Sequence, residues 1–363
     1  MRHFVEFGCT AVVLAFDDKR HVPKAKAITQ LKRRAGVNLL PFLETDVLPT
    51  VLPVEWKEAI MSPWFKHRVI ELICTNVPRL IAPPDGCRLI VDWETVTEYT
   101  YHSRREADCG SSSEESSSDR GLARVAHLPQ DSDIGEADLK FTRWMRALRC
   151  PMLVEATDGD YIPIALGLRA SGYHHPIVLL KAWTLERGSE FVHIDRLHAF
   201  LCDRMAAASR RASGRRPADC PDWEIKLFIT LLGLCGTDFT RNLPLISPQK
   251  IWAALPLVVQ TFQMEAHARI HFPQAKRLIE LLYAEAFPKH IDALSRRSVW
   301  SQAQASKLGQ RNKALIPTDA RIACTLRNLN FLLSYWLEFQ APDPVQDYGF
   351  RLDDRGAVVA WDD

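Results

Sequence analysis

Asp158 and Asp160, in the stretch TDGDY (157–161), stand one residue apart directly after the apolar run PMLVEA. In an extended segment alternate side chains share a face, so both carboxylates would point the same way and repel unless a cation lay between them. A metal is therefore the first expectation, although acids at strand ends are also ordinary turn formers. Further acids follow apolar stretches: Asp17 after TAVVLAF, Glu136 and Asp138 in GEAD, and Asp238 in LLGLCGTDF. Taken singly, Asp17 is a turn residue, Glu136 a capping acid and Asp238 a polar residue after a helix stop. Taken together, such carboxylates suit hard cations such as Mg²⁺ or Mn²⁺. Acids around two such ions are what metal-assisted phosphodiester hydrolysis uses to make hydroxide and stabilise the leaving oxygen.

The elements that must position these acids alternate between strand and helix. TAVVLAF (10–16) and GCRLIVDW (86–93) read as β-branched strands, each finishing on an acid, with a helix at MSPWFKHRVIELICTN between them. Asp92, at the end of the second strand, is expected at a sheet edge or in a turn. VPKAKAITQLKRRAG (22–36) is basic and Ala-rich, a helix or ordered arch. SDIGEADLKFTRWMRAL (132–148) offers Ser132 or Asp133 as a helix cap and an apolar stripe through Leu139, Trp144 and Leu148. PMLVEATDGD and HPIVLLKAWTLE read as strands, EFVHIDRLHAFLCDRM as a strand running into a helix, and WEIKLFITLLGLCGTDF as a helix stopping at Gly236. The alternation implies an α/β core. From residue 248 onward the pattern is mainly helical, without a persuasive strand until the tail. The expected division is a core at 1–247 and a helical region at 248–363.

GSSSEESSSD (110–119) is acidic and low in complexity, so an insertion at about 108–130 is expected to be disordered. The 46 basic and 44 acidic side chains nearly balance, so nucleic-acid affinity would have to come from local basic patches. Nine cysteines lack metal-ligand spacing, which argues against zinc and for reduced thiols in an intracellular compartment, nuclear or cytoplasmic. The short TAVVLAF run ends in DDKR and reads as a strand, not as a signal peptide or membrane span.

VVLAFDD, GEAD, TDGD and LLGLCGTDF, in that order, resemble the flap endonuclease and XPG-type branch of the PIN-like nucleases over roughly residues 10–255. The resemblance implies a three-layer α/β core with a central, mostly parallel sheet. It implies Asp17, Glu136, Asp138, Asp158, Asp160 and Asp238 as metal-site acids holding two Mg²⁺ or Mn²⁺ ions. It further implies that the basic segment after Asp17 contacts the scissile phosphate through Lys24 and one of Lys32, Arg33 or Arg34. Branched or single-stranded DNA, or RNA, is the expected partner, with the loop carrying Arg210, Arg211, Arg215 and Arg216 as a second phosphate-binding patch.

The chain also departs from the family's pattern. Only sixteen residues precede Asp17, so the family's first acid-bearing strand is expected to be missing, with Asp92 as its possible replacement. Asp18 stands where the family has glycine, Asp138 where it more often has Glu, and LPLISPQKIWAAL (243–255) lacks the glycines of the family's helix-hairpin. These departures define the alternative, a nucleic-acid-binding protein derived from a nuclease with a degraded metal site. A DxD glycosyltransferase would use TDGD but leave GEAD and CGTDF unexplained. His174 and His175 are expected in a loop or core role, and Trp144, Trp183, Trp252, Trp300 and Trp336 in the core.

Overall fold

The computed structural model describes residues 8–18, 24–26, 56–80, 86–101, 122–128, 135–156, 158–184, 188–211, 223–240, 243, 246–261, 270–286, 319–340, 342–356 and 358–361. The chain is mixed α/β and divides into two compact units, residues 1–22 with 30–144, and residues 23–29 with 145–363. The division thus falls at 144/145 and not at 247/248.

The first unit holds strands β1 (Ala11–Ala15), β2 (Arg88–Asp92), β3 (Val96–Tyr101) and β4 (Leu122–Leu128) in that spatial order. β1 and β2 run parallel with Ala15 opposite Asp92, whereas β2–β3 and β3–β4 are antiparallel. Helix α1 (Trp56–Ala59) is a single turn, and α2 (Pro63–Leu80) is the long helix between β1 and β2. Val12, Leu89 and Val91 form a buried cluster on which Leu14, Phe16, Tyr99 and the α2 residues Cys74 and Val77 pack. Strand alternation sends Ile90 and Asp92 to the opposite face, where Asp92 meets helix α3 (Ala137–Leu148). β2 is therefore an interior strand, and the expectation of an edge or turn position for Asp92 is corrected.

Strand β4 lies inside the stretch expected to be disordered at about 108–130. Residues 122–128 pair with β3 along its length, while the Ser-rich run 110–119 lies outside the described residues. LARVAHL needs only backbone pairing with the β-branched VTEYTY to become a strand, and composition judged over the whole insertion hides that.

In the second unit β5 (Met152–Glu155) and β6 (Ile177–Thr184) are parallel, and β7 (Gly188–His193) pairs antiparallel with β6. Among the described residues the strands form separate sheets of four, three and two strands, and antiparallel pairs outnumber parallel ones. The single, mostly parallel sheet expected from the resemblance is replaced by small mixed sheets, because β3 and β7 return as hairpin partners where a crossover helix would be needed for parallel pairing.

Helix α4 (Tyr161–Ala170) is the buried axle of this unit, with Pro163 through Leu168 all enclosed. A side chain at Gly167 would strike the Trp336 carbonyl at 2.6 Å, so glycine is what lets α4 approach the wide turn Ser334–Glu338. α4 packs on α5 (Ile194–Arg211) and α6 (Trp223–Gly233), which pack in turn on α7 (Pro248–Thr261). α8 (Phe272–Ala286) and α9 (Asp319–Leu333) complete the stack, and β8 (Phe350–Leu352) and β9 (Val358–Trp361) form the tail hairpin. This continuous packing is the physical reason the expected boundary near residue 248 is not one: α7 buries Ile251, Ala254, Leu255 and Val258 within the same core.

Candidate functional site

The carboxyl ends of the parallel pair β1/β2 collect the acids of the first unit. Phe16 N–H donates to the Asp92 carbonyl at 2.9 Å, which carries the β1–β2 ladder one residue beyond the strands and places Asp17 at the rim. There Asp17 Oδ1 accepts from the Ala137 N–H at 3.2 Å, and Oδ2 is 2.7 Å from Lys66 Nζ of α2. The first bond joins Asp17 to the backbone between Glu136 and Asp138, across 120 residues of sequence. It also gives α3 an N-terminal anion, where unsatisfied N–H groups and the helix dipole favour one. The expected caps, Ser132 and Asp133, lie outside the described residues. Glu136 is buried at the helix start, its carbonyl accepting from Leu139 and Lys140, and Asp138 is half-buried in the first turn. Asp18 is fully buried, its N–H donating to the Gly135 carbonyl at 2.6 Å.

Beneath this rim lies an ion cluster that reading the sequence missed. Lys140 is fully enclosed, and its ammonium donates to the Phe16 and Trp93 carbonyls at 2.8 Å each and to the Asp92 carbonyl at 3.4 Å. Asp92 Oδ1 lies 3.0 Å from the same ammonium, off its hydrogen-bonding direction, so that contact is purely ionic. Asp92 Oδ2 accepts from the Arg143 guanidinium and from the Trp144 indole N–H. Asp92 is therefore held by protein cations. The available signal was Lys140 itself, a lysine amid the apolar residues Leu139, Phe141 and Trp144, where a buried charge must find a partner.

The second unit carries the remaining acids. β5 ends at Glu155, and Asp158, Gly159 and Asp160 form a turn, with Asp160 already helical at φ −67° and ψ −22°. The extended alternation expected of TDGD does not occur. Asp158 Oδ1 accepts from the Asp160 N–H at 3.3 Å, so the local geometry is the turn that Asp-Gly sequences favour. Lys181 Nζ ties the turn to β6 through the Asp158 carbonyl at 2.9 Å. Thr157 lies outside the described residues.

Asp238 sits in a separate turn after α6. Thr237 Oγ1 accepts from the N–H groups of Phe239 and Thr240, and Thr240 Oγ1 donates to the Gly233 carbonyl at 2.7 Å. The Asp238 side chain is half-buried beside this pivot. Among the described residues no group of three or more His, Cys, Asp or Glu side chains converges at metal-holding range.

Of the basic candidates, Lys24 is exposed at the start of a single 3₁₀ turn, Lys24–Lys26, in which Ala25 is buried. Lys32, Arg33, Arg34, Arg215 and Arg216 lie outside the described residues. Arg210 and Arg211 form the last two positions of α5, inside a helix and not in the loop expected for them. His174 and His175 lie in the turn before β6, the His175 ring 5.4 Å from Tyr173, which is a loop role as expected. Trp144 and Trp336 are buried as expected, whereas Trp252 is only half-buried. Trp300 and the Trp183 side chain lie outside the described residues.

Compared with known proteins, the chain matches no protein-family model and none of the curated proteins.

Proposed function

We propose that the chain is a Mg²⁺- or Mn²⁺-dependent, structure-selective nuclease, related to the flap endonuclease and XPG-type branch of the PIN-like nucleases. It would hydrolyse phosphodiester bonds of branched or single-stranded DNA, or of RNA. One observation carries the reading: Asp17, at the carboxyl end of a parallel strand, is bonded to the backbone between Glu136 and Asp138. Two of the four acidic motifs, separated by more than a hundred residues, thus meet where ligands of α/β sheets characteristically bind. The parallel β1/β2 pair, packed by α2 on one face and met by α3 on the other, supports the PIN-like part of the reading.

By donor type Asp17, Glu136 and Asp138 suit a hard cation, since each brings carboxylate oxygens, but their side chains do not converge at metal-holding range here, so an ion would have to draw them together. A bound ion would supply a hydroxide nucleophile and neutralise charge on the leaving oxygen. The chain's own residues then have separable tasks. Asp17 exchanges its partner Lys66, a contact with side chains 38% and 44% exposed and so easily opened. Lys24 and Arg33 bind the phosphate, and Lys32, Arg34, Arg210, Arg211, Arg215 and Arg216 hold the flanking backbone without reading sequence. The part of Asp158, Asp160 and Asp238 as further metal-site acids rests on the order of the motifs.

A second reading, a nucleic-acid-binding protein with a degraded metal site, is favoured by the commitment of Asp92 to Lys140, Arg143 and Trp144. The two are separated by assaying labelled flap DNA, single-stranded DNA and RNA with the full chain in Mg²⁺, in Mn²⁺ and in chelator. The nuclease reading expects cleavage that chelator abolishes and that Asp17→Asn with Glu136→Gln removes while binding persists. Binding without cleavage selects the second reading. Cleavage indifferent to chelator and to the double substitution sinks the metal-site assignment.

A further inference from the structure

The outward side of α5 carries an aromatic feature that the core does not need. Arg196, Ala199, Phe200, Asp203, Arg204 and Ala207 are exposed and recur at the three- and four-residue steps of one helix face. The inward stripe is filled by Ile194, Leu201 and Met205, all fully enclosed. Phe200 is nevertheless 53% exposed. Its ring stacks on Trp252 of α7, with centroids 5.8 Å apart and planes within 15°. The Arg204 guanidinium lies 4.6 Å over the same indole, and Phe228 of α6 meets it edge-on at 6.4 Å. Trp252 is thus contacted by three side chains of α5 and α6, and Phe200, the more exposed of the two stacked rings, presents the outer one.

The chemistry of the surroundings selects the occupant. The exposed neighbours of Phe200 on its helix face are small or charged, so the face offers one isolated ring and no contiguous apolar patch for the core of a protein interface. A single flat ring is instead what one nucleobase covers, since every base has a π-face. Arg196 and Arg204 outnumber Asp203 along the face, and α5 ends in Arg210 and Arg211, so the helix complements a polyanion. Guanidinium beside stacked aromatics combines the two contacts that single strands require.

We propose that the Phe200–Trp252 stack with Arg204 is a base-stacking platform for single-stranded nucleic acid, one base continuing the stack on the outer face of Phe200 and Arg204 meeting an adjacent phosphate. The platform deepens the nucleic-acid part of the proposed function and is independent of the metal site. Duplex DNA, whose bases are already stacked, does not use it.

The test is fluorescence anisotropy with labelled oligo(dT), oligo(U) and a duplex of the same length, in chelator, across a salt series, with the full chain. Phe200 and Arg204 are both exposed, so Phe200→Ala and Arg204→Ala leave the fold intact, which thermal melts verify. Phe200→Ala is expected to weaken single-strand binding about five- to a hundredfold with an unchanged salt slope. Arg204→Ala is expected to lower that slope by about 0.7. Duplex binding stays the same in Phe200→Ala. The proposal is overturned if Phe200→Ala binds oligo(dT) and oligo(U) as the parent does, if duplex binding falls equally, or if the parent binds no single strand. It is equally overturned if the substitution's effect is on self-association seen by light scattering, which would make a protein the occupant. Loss of cleavage with this binding pattern intact would count against the metal site alone.

Discussion

Asp92 closes β2 and Asp158 follows β5; both strands belong to parallel pairs, and the sequence offers the same cue at each. Their environments are opposite. Asp92 is fully buried and gripped by Lys140, Arg143 and Trp144, whereas Asp158 is exposed and turns one oxygen to the N–H two residues on. A buried carboxylate must be paired to exist as an anion, so its oxygens are committed when the chain folds. An exposed carboxylate in a turn gives up little if a cation recruits it. Strand-end position therefore marks where an acid sits but not whether it is available; burial decides that.

The sharpest way to break this comparison is Lys140→Met. The substitution leaves the Phe16 and Trp93 carbonyls without their donor and removes one of the two cations facing the buried Asp92 carboxylate. Removing one partner of a buried pair costs about 3–5 kcal/mol, so the urea midpoint of the full chain should fall steeply. A loss under about 1 kcal/mol, the range of an exposed pair, would show that Asp92 is no more committed than Asp158.

Alkaline pH probes both units at once. Burial pushes the thiols of Cys74, in the first unit, and Cys235, in the second, from 9.0 up to about 11, against a weaker opposing hydrogen bond and the Lys140 charge at Cys74. Burial likewise raises the Tyr173 phenol from 10.0 to about 12, and its O–H donates to the Cys150 carbonyl at 2.6 Å, a bond that the protonated form alone can make. Each folded pKa lies above the ordinary value, so the folded chain keeps protons that the unfolded chain releases. The contribution is complete below about pH 9 and disappears as the pH rises through 9 to 11 for the thiols and 10 to 12 for the phenol. Melting temperature should hold to about pH 9 and then fall. Cys74→Ser and Cys235→Ser should each delay the onset, and an onset below pH 9 would trace to other groups.

Elements were more legible than their assembly. Hydrophobic patterning located β1, β2, β5, β6 and the long helices, because each carries its own period. It missed β3, helix α4 and, inside a polar insertion, β4, and it could not see that β3 and β7 pair as hairpins, since pairing direction is set by connections and not by the strands themselves. At the candidate site the acids were legible as residue types, but their partners were not. Lys66 and Lys140 lie 49 and 48 residues from Asp17 and Asp92 in sequence, and neither has a motif that announces the pairing. TDGD failed differently: Asp-Gly turn chemistry overrode the strand continuation, which local residue preference already favoured.

Asp17 is intermediate between the two extremes and should behave so. Asp17→Asn loses the half-exposed ion pair with Lys66 but keeps an oxygen for the Ala137 N–H. The expected cost is about 0.2–1 kcal/mol, diminishing with added salt. A cost above about 2 kcal/mol would place Asp17 with Asp92, as a structural anion.

Asp158→Ala should have the smallest effect on stability, and for that reason it says most about function. The substitution removes one exposed side-chain acceptor at 3.3 Å and leaves the bond from Lys181 to the residue-158 carbonyl in place. Surface changes of this kind stay within about 0.5 kcal/mol. If Asp158 holds a metal in the proposed reaction, the same change removes several kcal/mol of transition-state stabilisation, about a hundredfold or more in rate. Melts and single-turnover cleavage of a flap substrate should be run on one preparation of Asp158→Ala beside Asp160→Ala. Stability unchanged with cleavage lost makes Asp158 a functional acid that the fold can spare. Both unchanged reduces it to a turn residue, and both lost together would mean that the exposed turn is as structural as the buried cluster around Asp92.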